Sequence, residues 1–265
     1  MSDERAPGSS GAVSRRHLFS RGSRPGTALL VHGWGSNGAS WAPIASRLRV
    51  GRVLAPDLLG HGLRTSELDE VVTVPRAADD LAHRLCGQPA DVAIGHSMGG
   101  QVVVRLALRA PLLARALVVV DPAYCADADE MRSAPERLDD LQHRGAVSAA
   151  EFAEGAFVAG EPADLRHAVV EQMLNTPGSV LTSLFSSMYL EPESLGPTAP
   201  ALSALRLVRV PVLNVYSSTR AADRVADVPW AEGSDVVVWP GAGHYLHLER
   251  PAAFAGLVDE WLRGL

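Results

Sequence analysis

The sequence predicts an α/β fold in which a mostly parallel sheet is covered by helices on both faces. Its 265 residues contain short apolar runs without polar alternation, which is the pattern of strands buried on both faces. Amphipathic segments of helical length separate these runs, and turns rich in glycine or polar residues follow them. Strands that alternate with helices in this way pair in parallel, because a parallel connection needs a long crossover.

The first half of the chain shows this alternation most clearly. Strands are predicted over residues 27–31, 52–55, 92–94 and 116–120, and helices over residues 41–48, 74–85 and 101–110. The segment 74–85 carries its apolar residues at helical spacing, with aspartate and arginine on the opposite side. We expect an earlier edge strand at 14–20, after a disordered tail at 1–13.

Residues 14–20, Ser-Arg-Arg-His-Leu-Phe-Ser, resemble a twin-arginine export signal. Such a signal is followed by an apolar stretch of about 7–15 residues. Residues 21–26 read Arg-Gly-Ser-Arg-Pro-Gly instead, and no run elsewhere approaches the roughly 18 apolar residues of a membrane span. We therefore expect a cytoplasmic protein without membrane association.

The strand signals vanish between Asp121 and Val210. Helical segments fit this stretch at about 128–143, 148–158, 162–174 and 179–190. We interpret residues 122–200 as a helical lid, inserted into a core formed by residues 14–121 and 201–265. The core resumes with strands at 210–216 and 235–239, and it closes with an amphipathic helix at 250–262.

Charge and composition exclude several classes of function. The formal net charge of −6 and the pI of about 5.8 argue against binding to nucleic acid or to an anionic membrane. The chain has no lysine, so neither Schiff-base chemistry nor a phosphate-binding P-loop can be built. Cys86 and Cys125 fit no metal or redox spacing, and we expect buried free thiols, no metal and no cofactor.

The strand at 92–94 runs into Gly95-His96-Ser97-Met98-Gly99, and a helical segment follows at once. This is the Gly-x-Ser-x-Gly nucleophile elbow in the strand–turn–helix context that the motif needs. Glycine is needed on both sides of Ser97, because Cβ atoms there would collide with neighbouring backbone. The turn lifts the Ser97 hydroxyl off the strand end and near a helix N-terminus, where partial positive charge favours an anion. Ser97 is therefore the candidate nucleophile.

Further loops match a known arrangement around this elbow. His32-Gly33-Trp34-Gly35 follows the strand at 27–31, and Pro-Asp-Leu-Leu-Gly-His-Gly at 56–62 follows the next strand. Gly243-His244 lies in a loop before the last helix. Together with the elbow, these loops resemble the α/β-hydrolase superfamily from about residue 25 to residue 265, and most closely its small lidded carboxylic-ester hydrolases. The resemblance implies a doubly wound sheet of the α/β-hydrolase type.

The resemblance places the catalytic histidine at His244, which follows a strand in a glycine-rich loop. A serine hydroxyl needs such a base within hydrogen-bond reach. His247 competes for this role, but it enters the region that leads into the last helix. The side chain of His96 should point away from that of Ser97 in a sharp elbow. His244 is therefore our candidate base.

Three aspartates compete for the role of the carboxylate that orients the histidine. The family usually takes this acid from the loop after the strand at 210–216, in a Gly-x-x-Asp pattern, whereas residues 217–225 read Ser-Ser-Thr-Arg-Ala-Ala-Asp-Arg-Val. We assign Asp223, because its Asp-Arg-Val resembles the family's motif placed about three residues late. Asp121 is the alternative, since some members take their acid from the end of that earlier strand. Asp227 is a further alternative for the acid.

The resemblance also implies an oxyanion hole made of two backbone N–H groups. The N–H of Met98, first in the helix after the nucleophile, is one donor, and the N–H of Trp34 is the other. The glycines that flank Trp34 let the backbone approach a reacting carbonyl closely. Asp57 and His61 are assigned to loop structure.

The leading interpretation is acyl transfer to water. Ser97 attacks an ester, lactone or thioester carbonyl, His244 shuttles the proton, and an acyl-enzyme forms and is hydrolysed. The expected partner is a small-molecule acyl substrate. A non-hydrolytic reaction at the same site (elimination, cyclisation, decarboxylation or acyl transfer) is the alternative, which the atypical acid loop favours. Retention of Ser97, His244 and the oxyanion glycines disfavours a catalytically silent binding protein.

Overall fold

The computed structural model describes residues 18–20, 26–66, 71–85, 87–158 and 160–265. The predicted tail at 1–13, the first residues of the predicted edge strand and Cys86 lie outside these ranges. The strands in chain order are β1 (Leu18–Ser20), β2 (Thr27–Val31), β3 (Arg52–Leu54), β4 (Val92–His96), β5 (Leu117–Val120), β6 (Val212–Tyr216) and β7 (Asp235–Val238).

These seven strands form one sheet in the order β1-β3-β2-β4-β5-β6-β7. Neighbouring strands pair in parallel, except that β1 is antiparallel to β3. The chain steps from β2 outward to β3, returns to β4, and then continues outward in the other direction. This reversal of direction is typical of a doubly wound sheet. The predicted, mostly parallel α/β fold is confirmed.

The helices flank the sheet or lie between β5 and β6. In chain order they are α1 (Ala42–Ala45), α2 (Val74–Leu85), α3 (Met98–Arg109), α4 (Ala128–Arg144), α5 (Ala146–Glu154), α6 (Ala163–Leu174), α7 (Gly178–Tyr189), α8 (Thr198–Leu205), α9 (Thr219–Asp223), α10 (Leu246–Glu249) and α11 (Pro251–Gly264). Within the described ranges, no helix combines the length and the apolar character needed to cross a membrane.

The structure differs from the prediction mainly in its short helices. One helix is predicted over residues 41–48. The structure instead has a 3₁₀ turn at Gly38–Trp41, followed by the four-residue helix α1. The helix α9 lies in a segment predicted as a loop, and α8 and α10 lie where no helix is predicted. These helices have four to eight residues, which is too few for a helical period to stand out in the sequence.

Both faces of the sheet are buried, and successive strand residues alternate between two apolar clusters. Leu29 of β2 packs into one cluster with α2, α3 and the helices that follow β5. Leu30, the next residue, packs into the other cluster with Trp41 and with Phe254 of α11. Burial on both faces explains why the strands are continuous apolar runs in the sequence.

The helices α4 to α8, residues 128–205, form an insertion between β5 and β6 that we call the helical insertion. The segment that leads into α4 contacts the segment between α7 and α8, where the N–H of Ala126 donates to the carbonyl oxygen of Gly196 at 2.7 Å. Side chains such as Met173 and Phe185 pack in the same buried cluster as Leu29 of the sheet. The helical insertion and the sheet therefore share one core, whereas the function of the insertion as a lid stays a prediction.

Close packing at the start of α3 makes the fold sensitive to a single methyl group. A Cβ on Gly99 would lie 2.3 Å from the carbonyl oxygen of Val31 and 2.7 Å from that of His32. Because a buried backbone cannot move aside easily, we expect Gly99→Ala to lower the free energy of unfolding by about 1–3 kcal/mol. Urea denaturation measures this change.

Gly256 in α11 is the matched control, since a Cβ there would meet no atom within 4 Å. We expect Gly256→Ala to raise the free energy of unfolding by about 0.5–1 kcal/mol, because alanine loses less backbone entropy in a helix. Similar effects of the two substitutions would contradict the packing argument.

Candidate active site

Ser97 lies in a strained turn between β4 and α3. Its φ of 52° and ψ of −118° are values that an L residue rarely adopts. A Cβ on Gly95 would lie 2.2 Å from the carbonyl oxygen of Gly99, so the turn can close only with glycine at position 95. The N–H of Ser97 donates to the carbonyl oxygen of Val120 in β5 at 3.0 Å. Strain that the surroundings hold in place is typical of functional sites.

The turn after β2, which contains Trp34, lies against this elbow. A Cβ on Gly33 would lie 3.4 Å from the Cβ of Ser97. The indole N–H of Trp34 donates to the carbonyl oxygen of Leu181 in α7 at 3.0 Å, which ties the turn to the helical insertion. Met98 begins α3, so its N–H belongs to the first helical turn, whose donors have no partner inside the helix. The two segments that carry the predicted oxyanion donors are therefore in contact.

His244 lies in the loop between β7 and α10, and its ring meets the end of β5. The Nδ1 atom of His244 is 2.8 Å from Oδ2 of Asp121. Asp121 directly follows β5 and has a φ of 40°. Its carboxylate also accepts the N–H of Ser217 at 3.0 Å and the Ser217 hydroxyl at 3.0 and 3.1 Å. The ends of β5 and β6 thus hold the carboxylate that bonds to His244.

These contacts decide the charge of Asp121. Burial acts to raise the pKa of the Asp121 carboxyl, but the hydrogen bond and charge of His244, together with the bonds from Ser217, outweigh it and lower the pKa below its ordinary value. Asp121 is therefore ionised at neutral pH. Because an ionised carboxylate only accepts, the proton of this bond is carried by Nδ1 of His244, and Nε2 of the neutral ring is free to act as a base.

The assignment of Asp223 as the partner of His244 is wrong. Asp223 is the last residue of α9 and is exposed, as is Asp227. The loop after β6 turns into α9 before it reaches an aspartate, and Ser217 at its start supports Asp121. Asp121, the alternative from the sequence, makes the bond to His244. The sequence feature that points to Asp121 is its position at the end of β5, the strand that follows the elbow.

Two cavities meet at Ser97. The smaller, of about 30 Å³, lies beside the turn after β2, and the larger, of about 280 Å³, extends past Asp121 to the helical insertion. Ser97, His244, Trp34 and Phe152 line both of them. The larger cavity has mostly apolar or aromatic walls, which is typical of small-molecule sites. Ser97 and His244 therefore face the same space.

The loop after β3 supports the turn after β2 through buried polar side chains. Asp57 Oδ1 accepts the N–H of Gly38 at 2.7 Å, and His61 Nε2 accepts the N–H of Gly35 at 3.2 Å. Burial lowers the pKa of His61 to about 3, with a contribution from His32, although a backbone hydrogen bond opposes the shift. His61 is therefore a neutral acceptor. The bonds of Asp57 and His61 are those of loop structure.

Cys125 is a buried free thiol, as expected. Burial raises the pKa of the Cys125 thiol to about 11, although the charge of Arg224 opposes the shift, so little thiolate forms at neutral pH. Within the ranges that the structure describes, no group of three or more His, Cys, Asp or Glu side chains is arranged to hold a metal ion.

Comparison with known proteins gives three consistent findings. The chain is 34% identical over 164 residues to Lipase LipV of Mycobacterium tuberculosis, and this match spans 58% of the chain but only 60%, less than two thirds, of the lipase. It is 30% identical over 251 residues to the pimeloyl-[acyl-carrier protein] methyl ester esterase of Neisseria meningitidis, which covers 89% of the chain and 76% of that esterase. A thermophilic esterase from Thermogutta terrifontis has the same fold, with a TM-score of 0.76 at 22% identity over 93% of both chains.

The profile of the alpha/beta hydrolase family matches residues 28–257, which include the elbow, the turn after β2 and the loop of His244. With this match over most of its length, the chain belongs to the alpha/beta hydrolase family.

Proposed function

We propose that the protein is a serine esterase that cleaves a small carboxylic ester through an acyl-enzyme on Ser97. The observation that carries this proposal is the 2.8 Å bond between His244 Nδ1 and Asp121, made beside a cavity that Ser97 and His244 both line. The names of the relatives, a lipase and a methyl ester esterase, support cleavage of an ester bond.

In the first half of the reaction, Ser97 Oγ attacks the ester carbonyl carbon while Nε2 of His244 takes the hydroxyl proton. Asp121 keeps the ring in the tautomer that has a free Nε2, and its negative charge stabilises the imidazolium that forms. The tetrahedral intermediate then breaks its bond to the alcohol oxygen. That oxygen receives the proton from Nε2 of His244, and an ester of Ser97 remains.

In the second half, water replaces the alcohol. Nε2 of His244 takes a proton from water as the water oxygen bonds to the acyl carbon. The new intermediate then breaks its bond to Ser97 Oγ and releases the carboxylic acid, while Nε2 of His244 returns the proton to Ser97 Oγ. The backbone N–H groups of Trp34 and Met98 stabilise the oxyanion in both halves. Such donors are effective because they are oriented before the charge develops.

In our proposal the lid of this site is the segment 122–200 predicted from the sequence, which contains most of the helical insertion. Phe152, Phe185 and Met188 come from its helices and line the cavity of about 280 Å³ next to Ser97. These walls favour an apolar substituent, because such a group leaves water for an apolar environment on binding. The substrate class is therefore a small ester with an apolar acyl or alcohol part.

The only sequence feature that favours a non-hydrolytic reaction is the atypical loop after β6, which suggests that the histidine has no carboxylate partner. This argument no longer holds, because His244 bonds to the carboxylate of Asp121. A Ser97–His244–Asp121 set gives no reason to prefer elimination or cyclisation over hydrolysis.

A fluorophosphonate probe and a panel of p-nitrophenyl esters test the nucleophile. We expect the wild type to gain one phosphonyl group on Ser97 and to hydrolyse short-chain esters. Ser97→Ala should abolish labelling and lower kcat by roughly 10³-fold or more, because no attacking oxygen remains. Ser203→Ala, an exposed serine of α8, is the control and should behave as the wild type. Folded wild type that neither reacts with the probe nor turns over an ester would refute the proposal.

The acid is tested by comparing two isosteric substitutions. Asp121→Asn should lower kcat/KM by roughly 10³–10⁴-fold, because an amide cannot stabilise the imidazolium and favours the wrong tautomer. Asp223→Asn should stay within about twofold of the wild type, since an exposed substitution away from the site removes no contact with His244. Steady-state kinetics on one p-nitrophenyl ester measure both. The reverse ranking would restore Asp223 as the acid.

A further inference from the structure

The backbone of His244 is held from two sides. Its N–H donates to the carbonyl oxygen of Ala156 in the helical insertion at 3.3 Å. Its carbonyl oxygen lies 2.9 Å from Nε2 of His96. Because a carbonyl oxygen only accepts, His96 is the donor, and the neutral ring of His96 has its proton on Nε2. His96 therefore connects the sheet to the loop that carries the base.

The position of His96 in the sheet makes this connection useful. His96 ends β4 and pairs with Val120 of β5, so Ser97 and Asp121 each come one residue after a paired position. The sheet thus fixes the nucleophile and the carboxylate relative to each other. His244 is carried by a loop, and its distance from Ser97 depends on the side chains that hold that loop.

The ring of His96 also contacts the parts of the site that must be aligned. It is 5% exposed, and its centroid lies 4.6 Å from that of His244, 4.4 Å from that of His247 and 5.3 Å from that of Tyr245. On the side of the turn after β2, a Cβ on Gly33 would lie 3.0 Å from Nδ1 of His96. One rigid ring therefore packs against both the loop of the base and the turn with a predicted oxyanion donor.

The charge state of His96 suits this location. Burial and the charges of His247 and His244 lower the pKa of His96 well below its ordinary value, although the bond to the His244 carbonyl and the charge of Asp121 oppose the shift. The phenol of Tyr245 is the other titratable group against the ring, and its own pKa is raised by burial. A neutral ring is an advantage, because a cation beside His244 would oppose formation of the imidazolium.

We propose that His96 is a positioning residue, whose Nε2–H bond to the His244 carbonyl and ring contact hold the His244 imidazole where it can accept the proton of Ser97. The inference rests on the proposed function, because it assigns a role in the same proton transfer. The ring of His96 lines the cavity of about 30 Å³ beside Ser97, but the role assigned to it is exerted through His244 and not through a bond to the reacting atoms.

Glutamine and methionine form a matched pair at position 96, since they have similar length and only glutamine carries an N–H donor. His96→Phe is a third variant that keeps a ring without the donor. In each variant the active sites are titrated to completion with the fluorophosphonate, and kcat and KM for a p-nitrophenyl ester are expressed per titrated site. His143→Phe in α4, whose side chain is 72% exposed, is the control.

We expect His96→Met and His96→Phe to lose about 10–100-fold in kcat per titrated site with little change in KM, because small misplacements of a catalytic group have effects of this size. His96→Gln should recover most of that loss, and His143→Phe should match the wild type. If His96→Phe does not fold, the comparison of glutamine with methionine decides.

Equal kcat in the glutamine and methionine variants, or wild-type kcat in His96→Phe, would overturn the proposal. A loss confined to the number of titrated sites or to the unfolding midpoint would also overturn it, since the role of His96 would then be purely structural. Failure of the wild type to react at Ser97 is a separate outcome that would refute the proposed function itself.

Discussion

The parallel pairing of β4 with β5 is the constraint on which the rest of the site depends. His96 pairs with Val120, so both strands end at the same edge of the sheet, and Ser97 and Asp121 follow them at adjacent positions. Each of these residues leaves its strand with a positive φ, 52° and 40°, which only a firmly held backbone sustains. A slip of one residue would turn every strand side chain to the other face. Burial of β4 on both faces makes that slip costly.

The loops add what the sheet cannot supply, and buried polar bonds fix their positions. Gly35 and Gly38 in the turn after β2 donate backbone N–H groups to His61 and Asp57. Since buried polar groups are costly when they lack partners, such bonds favour one arrangement of the loops over others. The same logic applies to His244, whose ring bonds to Asp121 and whose backbone bonds to the sheet and to the helical insertion. In this way the site is largely formed before a substrate arrives.

Much of this architecture could be predicted from the sequence, and the failures have physical causes. Strands buried on both faces leave continuous apolar runs, and the turn at Ser97 requires glycine, so the sheet and the elbow are visible in the sequence alone. The acid is different, because Asp121 and His244 are 123 residues apart and meet only through strand order and loop conformation. Asp223 is exposed because it ends the five-residue helix α9, and a helix this short shows no apolar periodicity in the sequence. The facing of Phe152 and Phe185 toward the cavity likewise depends on how the insertion packs.

The crystal structure of the fluorophosphonate adduct tests the central claim most directly, because the phosphonyl group on the nucleophile mimics the tetrahedral intermediate. We predict phosphorus bonded to Ser97 Oγ, and a phosphonyl oxygen about 2.7–3.1 Å from the backbone nitrogens of Trp34 and Met98. His244 should keep its bond from Nδ1 to Asp121. A phosphonyl oxygen turned away from both nitrogens, or a His244 ring bonded to Asp223, would contradict the account.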